Sequence, residues 1–203
     1  MAPVQLFLLV NVLFFFVQAL LGFQSLSNRL GSHLDNQIYS GWVRPLAERE
    51  LAERGTTRAE YAPVFDAAVT VNAKALAILM VPMFALLAWL LSPRSGRPAV
   101  AHVVFALHFE AFLLLALSVL FPLIGIPAAI SFAMLGLPEA YTDPIMTWVL
   151  NLLCAWYVYV ALGRVYGGAF WARGIKAAVF VLLLVSVIRV YRLVVFFVTF
   201  YTA

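Results

Sequence analysis

The sequence has little charge and almost no cysteine. Charged residues make up 11% of the 203 residues, whereas hydrophobic residues make up 65%, and the mean hydropathy is +1.01. Such a chain cannot cover itself with the polar surface that a water-soluble domain needs, so a soluble catalytic module is excluded. The one cysteine, Cys154, lies in an apolar run, which excludes an intramolecular disulfide and a cysteine-based metal site.

The sequence also lacks the common catalytic and phosphate-binding motifs. It has no glycine-rich phosphate loop, no Ser/His/Asp arrangement and no H-E-x-x-H. Thirteen Lys and Arg exceed nine Asp and Glu, which gives a net charge of +4 and a pI near 9.5. In a membrane chain this basic excess is typical of cytoplasmic loops rather than of nucleic-acid binding. We therefore expect no enzymatic activity, no cofactor, no metal and no nucleic-acid partner.

What the sequence has is five apolar stretches, each about as long as the roughly 20 helical residues that cross a bilayer. We predict an all-α polytopic transmembrane helix bundle that forms one integral membrane domain over residues 1–203, with the lipid bilayer as its environment. The first stretch has no formally charged residue and is interpreted as an uncleaved anchor. The predicted spans are about 4–23, 71–91, 100–121, 145–162 and 175–198.

A polar segment, residues 24–70, separates the first two spans. It holds eleven of the twenty-two charged residues of the chain, so we expect it to lie in water. Pro45 at a helix start, a Glu50–Arg54 pair four residues apart and Gly55 as a stop predict a short extramembrane helix.

The second span is predicted to begin well before its apolar part. Thr57 and Glu60 have the spacing of a capping box, which favours a helix that continues into the span. Pro82 predicts a kink inside it.

The segment 122–144 is apolar but broken by prolines. Because no Pro-free run of eighteen residues exists in it, we expect a re-entrant or interfacial segment rather than a sixth spanning helix. It has no Lys or Arg, whereas the two short turns on the opposite side of the predicted bundle carry several. This distribution favours a cytoplasmic amino terminus.

Glu110 is the most unusual residue of the predicted spans, because it lies ten residues inside the third one. An unpaired carboxylate there is costly, and Arg189 and Arg192, three residues apart in the last span, are its expected partners. Three interpretations remain open: a proton or ion relay, a structural pair that fixes helix register, and a protonated carboxyl.

Histidines and one lysine complete the candidate site residues. His102 and His108 are about 120° and roughly 9 Å apart on a regular helix, so they cannot bind one metal ion together. No other predicted span has a histidine, which excludes a haem held by histidines of two helices. We expect His102 to be an interface residue, His108 a hydrogen-bonded packing residue, and Lys74 a snorkelling residue at the wet start of the second span.

Three segments resemble an uncharacterised bacterial family of multipass membrane proteins, domain of unknown function 3667. They are NAKALAILMVPMFALLAWLL at 72–91, HVVFALHFEAF at 102–112 and YVALGRVYG at 159–167, within a resemblance over roughly 60–195. Family members often begin with a zinc ribbon, which this chain lacks. The resemblance implies packed helices in the bacterial cytoplasmic (inner) membrane and importance for Lys74, His102 and His108, but no activity.

Two functions of different classes are compatible with these patterns. The first is a non-catalytic accessory or scaffold subunit that packs against other membrane protein subunits. The alternative is a small solute or ion transporter, or a channel-like protein, that uses Glu110 with Arg189 and Arg192. A membrane enzyme acting on lipid is a weaker third.

Overall fold

The computed structural model describes residues 2–21, 26–136 and 142–203. Within them the chain is helical and has no strand, which confirms the predicted all-α fold. Five helices of the described residues are long and apolar enough to cross a membrane, as expected for an integral membrane protein. They are Pro3–Leu21, Arg58–Leu91, Ala99–Met134, Ile145–Val165 and Phe170–Thr202.

The regular elements follow one another with short connections. They are α1 (Pro3–Leu21), α2 (Leu30–Asp35), α3 (Ser40–Glu53), α4 (Arg58–Leu76), a 3₁₀ turn (Ala77–Leu79), α5 (Met80–Leu91), α6 (Ala99–Leu120), a π turn (Phe121–Gly125), α7 (Ile126–Met134), α8 (Thr142–Val165) and α9 (Phe170–Thr202).

The short extramembrane helix exists, but its predicted start is wrong. α3 begins at Ser40, and Pro45 lies inside it rather than at its first turn. The other local signals are confirmed: Arg54 Nε donates to Glu50 Oε1 at 3.0 Å, and Gly55 follows the helix with a φ of 67°. A positive φ suits glycine because it has no side chain to clash with the backbone.

The start of the second spanning helix is confirmed as a capping box. Glu60 N donates to Thr57 Oγ1 at 3.3 Å, and Thr57 N donates to Glu60 Oε2 at 2.9 Å. The helix then continues from α4 through the 3₁₀ turn into α5. Pro82 has no N–H to donate to the carbonyl of Ile78, which lies in the 3₁₀ turn. The irregular turn is therefore at the position where Pro82 interrupts the regular hydrogen bonds, as expected for a kink.

The helix that contains the third predicted span continues past Phe121. It passes through the π turn and continues as α7 to Met134. The wider π turn accommodates Pro122, whose nitrogen cannot take part in the regular ladder. The first half of segment 122–144 is thus a helix that prolongs α6, and residues 137–141 lie outside the described residues.

The chain divides into two compact units. The first comprises Met1–Gly22 and Met80–Val187, and the second comprises Phe23–Leu79 and Ile188–Ala203. The expectation of one integral membrane domain stays a prediction.

In the first unit α6 is the central helix, and α1, α5 and α8 contact it. Phe109 of α6 packs edge-on against Phe84 of α5 and Phe180 of α9, with ring centroids 4.9 and 4.8 Å apart. All three phenylalanines are fully buried. In a bilayer such contacts stabilise the bundle through dispersion, because lipid is as apolar as the side chains.

The second unit is built from α2, α3, α4 and the end of α9. Its core is also aromatic: the Phe65 ring lies 5.7 Å from that of Phe196 and 5.9 Å from the imidazole of His33. All three side chains are buried. This core therefore includes a polar aromatic ring, the imidazole of His33.

Candidate functional site

Glu110 lies in α6, within the first unit, and its side chain is completely buried. Neither carboxylate oxygen has a hydrogen-bond partner among the described residues. Removing a carboxyl group from water without a partner is costly. Both polar side-chain atoms of this candidate site residue are thus buried without a hydrogen bond to a described residue.

The expected arginine partners both belong to the second unit. Arg189 is exposed there, whereas Arg192 is half-buried and its charge acts on Tyr39 and His33. Glu110 accepts no hydrogen bond from a described residue. Its pairing with these arginines stays a prediction. That prediction rests on similar depths of the carboxyl and the arginines in the membrane, and depth does not determine the direction in which a side chain points.

His102, in α6, contacts Tyr166, the residue that follows α8. Its Nδ1 lies 2.7 Å from the hydroxyl of Tyr166, and the two rings are stacked with centroids 5.4 Å apart. His102 is buried. At the same end of the unit Lys176 Nζ donates to Ser92 Oγ at 3.1 Å. These bonds fasten helix ends of the first unit to one another.

His108 is a hydrogen-bonded residue of α6, as predicted. Its Nδ1 lies 2.8 Å from the carbonyl oxygen of Val104, one turn earlier, so Nδ1 carries the proton in this bond. His108 also lines a groove between α6 and α8 with a volume of about 510 Å³. The groove walls are mostly apolar and aromatic; they include Phe105, Phe112, Trp156, Tyr157 and Arg164.

Lys74 is exposed in the last turn of α4. An exposed position there is compatible with snorkelling, because the ammonium can follow its aliphatic stem towards the polar region. Lys74 belongs to the second unit, whereas His102 and His108 belong to the first. No metal-binding group of three or more His, Cys, Asp or Glu side chains is found in residues 2–21, 26–136 and 142–203.

A polar cluster that the sequence did not predict lies in the second unit. His33 Nδ1 is 2.8 Å from the hydroxyl of Tyr39, and Ser40 Oγ donates to the carbonyl of His33 at 2.9 Å. Burial and, secondarily, the charge of Arg192 lower the pKa of His33 to about 4. Burial raises the pKa of Tyr39 to about 12. Both groups are thus neutral at physiological pH.

Two tyrosines of the second unit donate to backbone carbonyls of other helices. Tyr61 in α4 donates to Phe200 O at 2.9 Å, and Tyr191 in α9 donates to Ala73 O at 2.6 Å. The Phe200 carbonyl lies at the end of α9, where helix carbonyls lack partners within the helix. These bonds tie α4 to α9. The only feature of the sequence that indicates these two bonds is a tyrosine at a suitable depth in the helix.

Comparison with known proteins adds no relative to this description. No family model matches the chain, and neither a curated protein nor a solved structure matches it. The resemblance to domain of unknown function 3667 stays a prediction.

Proposed function

We propose that this integral membrane protein is a non-catalytic accessory or scaffold subunit that packs against other membrane proteins. The observation that carries the proposal is the use of buried polar side chains. The hydroxyls of Tyr61, Tyr166 and Tyr191 and the imidazole of His102 each bond to a neighbouring helix or helix end. Polar groups engaged in this way stabilise the bundle and are not available to a substrate.

The Glu110 carboxyl has no hydrogen-bond partner among the described residues, which favours a second candidate, the small transporter or channel-like protein. An intramembrane carboxyl that is not held in an ion pair can change protonation or bind a cation during a cycle. Complete burial of Glu110 argues for the accessory role, because a carrier must bring such a group to water.

The accessory role is tested by the size of the complex that contains the protein in its native membranes. We expect the tagged protein, solubilised in mild detergent, to migrate on a native gel as a discrete assembly larger than a protein–detergent micelle. Glu110→Gln should migrate in the same assembly at normal abundance, as should the charge-matched control Glu48→Gln at an exposed position of α3. Migration of the wild-type protein alone would overturn the proposal.

The transporter is tested in vesicles that contain the purified protein and an enclosed pH-sensitive dye. Proton flux that is lost in Glu110→Gln and retained in Glu48→Gln would promote the second candidate. Equal dye responses in vesicles with and without the protein would show that it does not conduct protons.

The membrane location belongs to the same proposal: a bacterial inner membrane with a cytoplasmic amino terminus. In a Cys154→Ser background, Ala52→Cys on α3 should be labelled by an impermeant maleimide in intact cells, whereas Ser95→Cys in the turn between α5 and α6 should be protected. Labelling of Ser95→Cys from outside would reverse the orientation.

A further inference from the structure

The groove between α6 and α8 has the size of a ligand site. Its volume of about 510 Å³ lies within the range of roughly 300–1,000 Å³ that is usual for small-molecule pockets. Both helices are long and apolar enough to span the membrane, so we expect the groove to border lipid. Phe112 and Tyr157 form part of its wall and stack on each other, with centroids 4.1 Å apart.

The groove has a basic end and an apolar end. Ring contacts between Phe105 and Tyr166 and between Phe112 and Tyr157 show that α6 and α8 run antiparallel. Arg164, in the last turn of α8, therefore lies towards the start of α6, while Trp156 lies towards Phe112. From Val104 to Phe112 the helix rises about 12 Å, which is the length of the apolar wall.

Positive charge at one end is not balanced by an acid in the groove. Arg164 is exposed and lines the groove together with His108, and none of the lining residues is Asp or Glu. Arg97 adds to the positive potential, since its charge also acts on the hydroxyl of Tyr166. A guanidinium at the membrane edge attracts phosphate, because it offers several N–H donors in one plane.

We propose that this groove binds one anionic phospholipid of the surrounding bilayer. The phosphate contacts Arg164 at the membrane edge, and an acyl chain lies along Phe112, Trp156 and Tyr157. A free anion would not use the apolar wall. In a zwitterionic lipid such as phosphatidylcholine the headgroup ammonium offsets the attraction of its phosphate to Arg164, so a lipid with net negative charge is preferred. The lipid comes from the leaflet at which α6 begins and α8 ends. This inference is independent of the accessory or transport role.

The test uses tryptophan fluorescence and phospholipids with brominated acyl chains, which quench a tryptophan that they contact. Trp156 lines the groove, and Trp148 is a matched control on the same helix, because the two are 64% and 68% exposed and Trp148 does not line the groove. Two single-tryptophan proteins, with the other four tryptophans replaced by Phe, report on each position in nanodiscs. Each nanodisc contains either brominated phosphatidylglycerol or brominated phosphatidylcholine in the same unbrominated background.

We expect phosphatidylglycerol to quench Trp156 at about fivefold lower mole fraction than phosphatidylcholine does, since one basic residue near a membrane contributes about that preference. Trp148 should be quenched equally by both lipids. Arg164→Gln should remove the preference at Trp156, whereas the charge-matched change Arg94→Gln, in the exposed turn before α6, should retain it.

Three results would overturn the proposal. Equal quenching of Trp156 by both lipids would make the groove ordinary lipid-facing surface. Loss of the preference in Arg94→Gln as much as in Arg164→Gln would indicate a general charge effect. Resistance of Trp156 to both lipids would mean that something other than lipid fills the groove. Unchanged quenching of Trp148 and unchanged thermal unfolding confirm that each variant is folded.

Discussion

Two deeply buried ionisable side chains, His33 of the second unit and Glu110 of the first, differ in their hydrogen bonding. In the second unit His33, Tyr39, Tyr61 and Tyr191 point polar atoms into an aromatic core, and each side chain makes a hydrogen bond. In the first unit the buried carboxyl of Glu110 makes none with a described residue. A buried polar residue in a membrane protein therefore does not stabilise the bundle by its presence alone: it does so where a donor meets an acceptor.

Loss of the Phe65 ring from the core of the second unit should have the largest effect on the unfolding free energy. Phe65 is fully buried between Tyr61, His33 and Phe196, so Phe65→Ala leaves a cavity and should cost about 3–5 kcal/mol of unfolding free energy. Val64→Ala, at the neighbouring half-exposed position, is the control and should cost far less. Thermal unfolding in detergent measures both. Similar losses would show that the aromatic core does not organise the unit.

Acid should weaken the second unit through His33. The pKa of His33 is about 4 in the folded chain against an ordinary value of 6.5, so between these values the unfolded state binds a proton that the folded state does not. The unfolding free energy should therefore fall as pH is lowered from 6.5 to about 4, by about 3 kcal/mol, and change no further through this group below that.

The variant His33→Gln isolates this contribution. Glutamine can still bond to Tyr39 but cannot be protonated, so the decline in unfolding free energy between pH 6.5 and 4 should shrink by about the same amount. An unchanged pH dependence in the variant would show that His33 is not the group responsible.

Loss of one fastening bond should have a smaller effect. Tyr61→Phe keeps the ring but removes the bond to Phe200 O, which should cost about 1 kcal/mol. The loss is limited because Arg54 Nη1 also donates to that carbonyl, at 3.3 Å. Tyr201→Phe, at an exposed tyrosine, is the control and should be neutral in thermal unfolding. A neutral Tyr61→Phe would remove the distinction between the two tyrosines.

Local signals of the sequence predicted much of this fold. Apolar length located all five spans, and the Thr57–Glu60 and Glu50–Arg54 pairs were predictable because both partners lie within one helical turn. The continuation of α6 past Pro122 was not, because a π turn can absorb a proline that a regular helix cannot.

The candidate site was less predictable than the fold. The bonds of His33 to Tyr39 and of His102 to Tyr166 join a helix residue to a tyrosine just outside another helix, so the packing of the helices decides them. The groove between α6 and α8 also depends on packing, because His108 and Arg164 line it together only when the two helices lie side by side. The pairing of Glu110 with Arg189 and Arg192 was inferred from charge and depth, which do not specify the direction of a side chain, and it stays a prediction.

The unfolding free energy of Glu110→Gln shows whether the Glu110 carboxyl makes a stabilising bond. Because the carboxylate has no hydrogen-bond partner among the described residues, we expect a value within about 1 kcal/mol of wild type. Breaking a buried ion pair typically costs about 3–5 kcal/mol. A loss of that size, partly recovered in the double variant Glu110→Gln, Arg189→Gln, would show that the carboxyl is held in an ion pair.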